Sequence, residues 1–361
     1  MSALEDTLRS MIAQEGPISL ERYMGLALAH PTGGYYMTRD PLGAGGDFVT
    51  APEVSQMFGE LLGLWAAAMW FDLGSPATIN LVELGPGRGF LMADALRAAR
   101  SAPRFLAALR VTLVEISPVL EAAQREALAP SGIAVAWKRS FDEVAAGPMI
   151  LIANEFFDAL PVRHYVKQPR GWFERLVGLE ADGRFVFGLA QAPEASIRVD
   201  AADGEVLEIN AAAHRIAAAI GARIARQGGA ALIIDYGHAR TGFGETLQAV
   251  RGHAYADPLV APGEADLTAH VDFDAIGRAA RASGAATFGP LGQGRFLKRL
   301  GIDTRADALR RHADAQQAKA IDAALTRLVG GPEVQGMGDL FKAFAIVQND
   351  RPGPSGFEDL P

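Results

Sequence analysis

Five short apolar runs constrain this chain more than any other feature: INLVEL (79–84), RVTLVEI (110–116), IAVAW (133–137), MILIA (149–153) and ALIIDYG (231–237). None has a polar face, so each must be covered on both sides. Helix-like stretches lie between them, as in GFLMADALRAAR (89–100) and SPVLEAAQREAL (117–128). In the second of these, Ser117 can cap and Pro118 takes the first turn, where its missing N–H costs nothing. Buried strands alternating with helices make a parallel sheet with helices on both faces. The fold class is α/β.

The chain of 361 residues suits one large domain or two ordinary ones, and 49% hydrophobic residues supply a sizeable core. Its net charge of −8 disfavours tight nucleic-acid binding. With no cysteine, disulfides, thiolate nucleophiles and cysteine-ligated metals are excluded. No apolar stretch reaches the roughly 18 residues that cross a bilayer, so membrane insertion is not expected. MSALEDTLRSMIAQEG reads as an amphipathic helix and not a targeting peptide. The expected location is cytoplasmic.

Around the runs, helices are expected at 2–14, at 19–30 and at 53–71. Residues 30–52, rich in glycine and proline with Tyr35, Tyr36 and Phe48, read as a lid or ligand-contacting loop. RHYVKQPRGWFERLVGLEADGRFVFGLA (163–190) turns like antiparallel hairpins. A helix is expected over 204–229, another after Asp272, and a long one over 303–329 that stops at Gly330. FKAFAIVQ (341–348) gives a last strand, and RPGPSGFEDLP a frayed tail. The expected organisation is an N-terminal helical region (1–75), a core from 76–160 and 229–350, and a second lobe from 161–228 with 238–283.

VELGPGRGF (82–90) joins the first run to its helix, either as a tight structural turn or as a cofactor cradle. The next run ends in Glu115, and ligands of open α/β sheets bind beyond the carboxyl ends of strands. A carboxylate there can accept both hydroxyls of a ribose. A nicotinamide fingerprint would place its third glycine at 90, where Phe90 stands; the glycines are instead 85, 87 and 89. That spacing resembles the turn of S-adenosylmethionine-dependent methyltransferases. Glu83 could then organise the cofactor's ammonium through water.

NEFFDALP (154–161) empties a buried run into an amide and two carboxylates. Asp158 could be an N-cap, but Asn154 and Glu155 at a strand mouth are more than capping needs. In a methyltransferase this end faces the methyl group and its acceptor. A Glu155–Asp158 pair would suit a guanidinium, held by charge-assisted bidentate hydrogen bonds. No metal is required. Glu264, Asp266, His270 and Asp272 make a poor metal set and read as caps and turn formers, while Asp235, Tyr236 and His238 end the fifth run at the same rim.

GDFVTAPEVSQMFGELLGLW (46–65), LVELGPGRGFLMADALR (81–97), NEFFDALPVRHY (154–165), GGAALIIDYG (228–237), TLQAVRGHAYADPLVAPGEADLTAHVDF (246–273) and MGDLFKAFAI (337–346) together resemble the MidA family. This family comprises class I methyltransferases related to a complex I assembly factor. The resemblance implies a mostly parallel seven-stranded sheet with a second lobe built from insertions. It implies an S-adenosyl-L-methionine-dependent protein-arginine methyltransferase, making symmetric dimethylarginine on the 49-kDa-type subunit of NADH:quinone oxidoreductase. Carried over by position, Glu83, Gly85, Pro86, Gly87, Gly89 and Glu115 would hold the cofactor, with Asp47 closing over it. Asn154, Glu155 and Asp158 would stand at the reacting centre. Two other readings stay open: methylation of a small molecule, and a non-catalytic assembly chaperone that binds the cofactor.

Overall fold

The computed structural model describes residues 2–40, 50–349 and 351–358. The chain divides into two compact units, one of residues 49–157, 216–239 and 271–361, the other of residues 1–48, 158–215 and 240–270. The first is the sheet unit. Its strands are β1 (Ile79–Leu84), β2 (Leu109–Val114), β3 (Val135–Lys138), β4 (Met149–Asn154), β5 (Gly229–His238), β6 (Ala285–Gly292) and β7 (Phe341–Gln348). They lie in the order β6-β7-β5-β4-β1-β2-β3, and a two-residue strand, Val271–Asp272, pairs with the end of β5.

β3, β2, β1, β4 and β5 run parallel, and β7 alone opposes its neighbours β5 and β6. Every residue of β1 and β4 is buried, as strands covered on both faces must be. β1 leads to β2 on one side, and the chain returns to place β4 on the other. The carboxyl ends of β1 and β4 therefore flank the point where strand order reverses, where such sheets bind ligands.

Helices α1 (Gln56–Asp72), α2 (Phe90–Ala99), α3 (Pro118–Leu128) and α4 (Phe273–Ala282) belong to this unit. α1 lies against α2 through two glycines one turn apart. A Cβ at Gly63 would sit 2.6 Å from the Ala95 backbone, and one at Gly59 2.7 Å from the Asp94 Cβ. Between those glycines Glu60 is buried, and Arg97 and Arg305 both donate to its carboxylate, at 3.0 and 2.7 Å. A buried carboxylate needs such partners.

The other unit holds a five-stranded antiparallel sheet from residues 18–19, 163–168, 171–179, 185–189 and 206–209, and a three-stranded one from 248–251, 254–256 and 266–268. Helix Ala3–Glu15 places Leu4, Leu8 and Ile12 on one stripe, buried in a core with Tyr23, Met24, Val177 and Leu267. His164 in this unit is fully buried, with its Nε2 2.7 Å from the Glu208 carboxylate.

Several expectations change. Helix α1 starts at Gln56, because Ser55 caps it and a separate short helix, Ala51–Val54, precedes it; both lie in the sheet unit and not in an N-terminal region. Residues 204–229 begin with strand Val206–Ile209 before the helix Ala211–Gln227, since VLEI alternates with period two. The helical stretch 303–329 is two helices, Ile302–Arg310 and Ala315–Val329, the second started by an Asp314–Gln317 capping box. The described end of the tail is packed: Phe357 is fully buried against Phe296, and Ser355 O accepts the Trp65 Nε1–H at 3.1 Å. Within the expected lid, 30–52, a short helix forms at Tyr35–Thr38, and residues 41–49 lie outside the described residues.

Candidate functional site

β1 runs into α2 through Gly85-Pro86-Gly87-Arg88-Gly89. The three glycines take φ of +61°, +52° and +84°, a region that costs side chains with a Cβ about 1 kcal/mol or more. Space demands glycine too. A Cβ at Gly85 would come within 2.9 Å of the Phe156 ring, and one at Gly89 within 3.2 Å of the Gln124 Cα. Gly85 N–H donates to Val114 O at 3.1 Å, which ties the turn to the end of β2. Gly89 starts α2 with no side-chain cap, so no side chain of its N-cap occupies the first-turn amides beside the turn.

Glu115 follows β2 and is buried. Its Oε1 accepts the Ser117 N–H at 2.7 Å and its Oε2 the Gln124 Nε2–H at 3.0 Å. Burial pushes this carboxyl up, while those two donors, the Ile116 amide and Arg139 pull it back toward the ionised form. The carboxylate keeps acceptor capacity for a further donor. Glu83 is different. It lies inside β1 with its Oε2 buried and without a partner among the described residues. Burial first and Glu115 second push its carboxyl up to about 8.

At the end of β4, Asn154 is buried, and its Nδ2 donates to Glu155 Oε1 at 3.1 Å. The Asn154 Oδ1 is buried without a partner among the described residues. Glu155 takes φ +50°, uncommon for a residue with a side chain, and its N–H donates to Ile234 O of β5 at 2.9 Å. Glu155 Oε1 also accepts the Ala51 N–H at 3.2 Å, at the start of the short helix Ala51–Val54. Thr50 and Glu53 close a capping box on the same helix, and Glu53 reaches Arg88 of the glycine turn at 3.4 Å. One helical turn is therefore fastened both to the glycine turn and to the mouth of β4.

The two phenylalanines of NEFFDALP divide the work. Phe156 covers Gly85, whereas Phe157 is 1% exposed and anchors the segment in the core. Asp235, fully buried on β5, accepts the Phe157 and Tyr236 N–H groups at 3.0 and 2.9 Å. At this rim it holds backbone in place. His238 lies 3.8 Å from Asp272, which caps α4 as expected.

The structure thus gathers Glu83, Gly85, Pro86, Gly87, Gly89, Glu115, Asn154 and Glu155 at the carboxyl ends of β1, β2 and β4 of one unit. Asp158 opens the other unit and makes no N-cap. It is buried there, its carbonyl accepting the Ala269 N–H at 2.9 Å, with its carboxyl near Tyr36. The Tyr36 hydroxyl donates to Asp266 at 2.9 Å; burial first, then the Asp266 and Asp158 charges, pushes it well up. Asp47 lies outside the described residues. Among the described residues no group of three His, Cys, Asp or Glu could hold a metal ion, and no helix is long and apolar enough to cross a membrane.

Gln124 was not singled out in the sequence. A signal existed: it is the one polar residue on the buried stripe Leu120, Gln124, Leu128 of α3. The group that the sequence implies fits this edge. A cofactor with an ammonium supplies the charge that an unpartnered Glu83 lacks. Its sugar hydroxyls would supply donors for Glu115, and the bare turn would leave room for its tail.

Comparisons with known proteins agree. Residues 61–291 match the family described as S-adenosyl-L-methionine-dependent methyltransferase. Mouse (Mus musculus) "Protein arginine methyltransferase NDUFAF7, mitochondrial" is 40% identical over 371 residues, covering 94% of this chain and 83% of that protein. The human (Homo sapiens) protein of the same name is 38% identical over 371 residues, covering 94% and 82%. A Burkholderia thailandensis protein, crystallised with S-adenosyl-homocysteine, superposes with a TM-score of 0.86 at 33% identity, covering 99% of this chain and 95% of that one. The cytoplasmic location expected above is overturned by the relatives' names, which place them in mitochondria. That expectation rested on two absences, of a long apolar stretch and of a targeting-type N-terminus, and an absence cannot choose a compartment. The chain belongs to the S-adenosyl-L-methionine-dependent methyltransferase family, and its cofactor is S-adenosyl-L-methionine.

Proposed function

We propose that this enzyme methylates arginine in a protein, giving symmetric dimethylarginine on the 49-kDa-type subunit of NADH:quinone oxidoreductase during complex I assembly. The observation that carries the reading is 40% identity, over nearly the whole chain, to a protein arginine methyltransferase. Glu155, a carboxylate kept at the mouth of β4, supplies chemistry suited to such an acceptor.

When bound, the cofactor supplies an electrophilic methyl group on a sulfonium. In the proposed site Glu115 accepts the sugar hydroxyls, Glu83 balances the ammonium, and Gly85, Pro86, Gly87 and Gly89 let the backbone approach the amino-acid tail. Glu155 receives the acceptor's guanidinium through charge-assisted N–H···O bonds and holds one nitrogen lone pair toward the methyl. Glu155 would stabilise the positive charge on the acceptor while the new nitrogen–carbon bond replaces the cofactor's sulfur–carbon bond, whose electrons leave with a neutral thioether, until the nitrogen's proton passes to water. Asn154 steadies Glu155 through its Nδ2–H, leaving its Oδ1 for a donor on the bound groups.

The test is peptide mass spectrometry of the quinone oxidoreductase subunits from cells carrying the wild-type gene, no gene, or Glu155→Ala. The reading expects symmetric dimethylarginine on the 49-kDa-type subunit in the first strain alone. An unchanged pattern in all three removes the substrate. Label from methyl-tritiated cofactor in a low-mass product would favour a small-molecule acceptor, and normal assembly with Glu155→Ala would favour a chaperone. Asp158→Ala, run separately, tests the second carboxylate on its own.

A further inference from the structure

The buried amide of Gln124 is placed where nothing but an amide would serve. Gln124 is fully buried on α3. Its Oε1 accepts the Trp137 Nε1–H at 2.9 Å, and an indole N–H can only donate, which fixes how the amide faces. The Nε2 then points at two acceptors: the Gly87 carbonyl of the glycine turn at 2.8 Å and Glu115 Oε2 at 3.0 Å. Both protons of the amide are used, one on each half of the cofactor site.

We propose that Gln124 is the positioning residue of the cofactor site, an amide that sets the spacing between the glycine turn and the Glu115 carboxylate without itself touching the cofactor. Three observations carry this. The side chain is out of reach of solvent. Its two donors join the backbone that approaches the amino-acid tail to the carboxylate that takes the sugar. The turn also rests on it, because a Cβ at Gly89 would meet the Gln124 Cα at 3.2 Å and Cγ at 3.3 Å. Glu115 alone can swing about its side-chain torsions. With Oε2 bonded to Gln124 and Oε1 to Ser117 N–H it is held in one orientation. A methionine of similar length keeps the packing and leaves the Gly87 carbonyl, the Glu115 oxygen and the Trp137 N–H without their partner. A glutamate keeps the shape and turns an acceptor toward two acceptors.

The inference rests on Glu115 gripping the cofactor, so the experiment separates the two claims. Binding of S-adenosyl-homocysteine is measured by calorimetry on the wild-type protein, Gln124→Met, Glu115→Ala and the double variant, with thermal melts to confirm folding. A buried donor lost from a charged partner predicts about tenfold weaker binding for Gln124→Met. Because one of the two Gln124 donors acts through Glu115, the double variant should lose less than the product of the two single losses. Losses that multiply, or a Gln124→Met protein binding like wild type, would overturn the proposal. If Glu115→Ala binds like wild type, the placement of Glu115 fails first and this proposal falls with it. Should Gln124→Met not fold, Gln124→Glu completes the same cycle, and its loss must shrink in the Glu115→Ala background.

Discussion

The end of β1 and the end of β4 solve the same geometric problem in opposite ways. After β1 the chain takes left-handed φ three times, each time at a glycine, where this is free of side-chain strain. After β4 it takes φ +50° at Glu155, a residue that carries a side chain into that region at a cost of about 1 kcal/mol. Glycine would be the easier choice there as well. The difference separates a place built for backbone to approach a ligand from one where a carboxylate is held despite the strain. Strain kept at a strand mouth, with the Ala51 and Ile234 backbone fixing it, supports the proposed reacting centre there.

If that division holds, Glu155→Gln should produce the largest split. The amide keeps its acceptor for Ala51 N–H, so cofactor affinity should stay within about threefold, while methyl transfer falls about 100-fold or more. Steady-state kinetics with a subunit-derived peptide measures it. Glu115→Ala should show the reverse: a KM for the cofactor raised about 100-fold, the worth of two hydrogen bonds to a charged group, with little change in kcat.

Glu83 gives the comparison a pH axis. Its folded-state carboxyl stands near 8, above the ordinary 4.5, so the folded chain holds a proton that the unfolded chain releases. The contribution of Glu83 to the stability of the cofactor-free protein is therefore complete below about pH 4.5 and declines as pH rises to 8. Glu83→Gln should remove that decline, a gain of a few kcal/mol at pH 8 and none near pH 4, read by urea unfolding. Binding of S-adenosyl-homocysteine should weaken in the same variant. A gain in stability with a loss in affinity is what a destabilised site residue gives.

Smaller effects rank the glycines. Gly89→Ala should lose about 2 kcal/mol, because its Cβ meets the Gln124 backbone, which cannot give way. Gly85→Ala should lose about 1 kcal/mol, since the Phe156 ring it meets can turn aside. Thermal melts separate the two. Least of all, Arg88→Gln should cost about 0.5 kcal/mol, the Arg88–Glu53 pair being long and its arginine partly exposed.

The sheet was legible because its strands are buried on both faces, and an unbroken apolar run survives as a signal whatever packs on it. The glycine turn was legible for a similar reason: its requirement is local. The other unit was harder, because its sheet joins stretches far apart in sequence, such as 163–168 with 206–209, and alternation does not name a partner. The tail misled because its buried aromatic, Phe357, stands among prolines and glycines that read as fraying. Gln124 escaped because a glutamine in a helix is ordinary until its neighbours in space are known. Glu155 was found, but its strain and its hold on Ala51 needed coordinates.

Calorimetry with S-adenosyl-homocysteine on Glu115→Ala beside Glu155→Gln tests the central claim most directly. The account expects tight one-to-one binding in wild type, nearly the same in Glu155→Gln, and about a 100-fold loss in Glu115→Ala. Equal losses in both variants, or an undiminished Glu115→Ala, would contradict it.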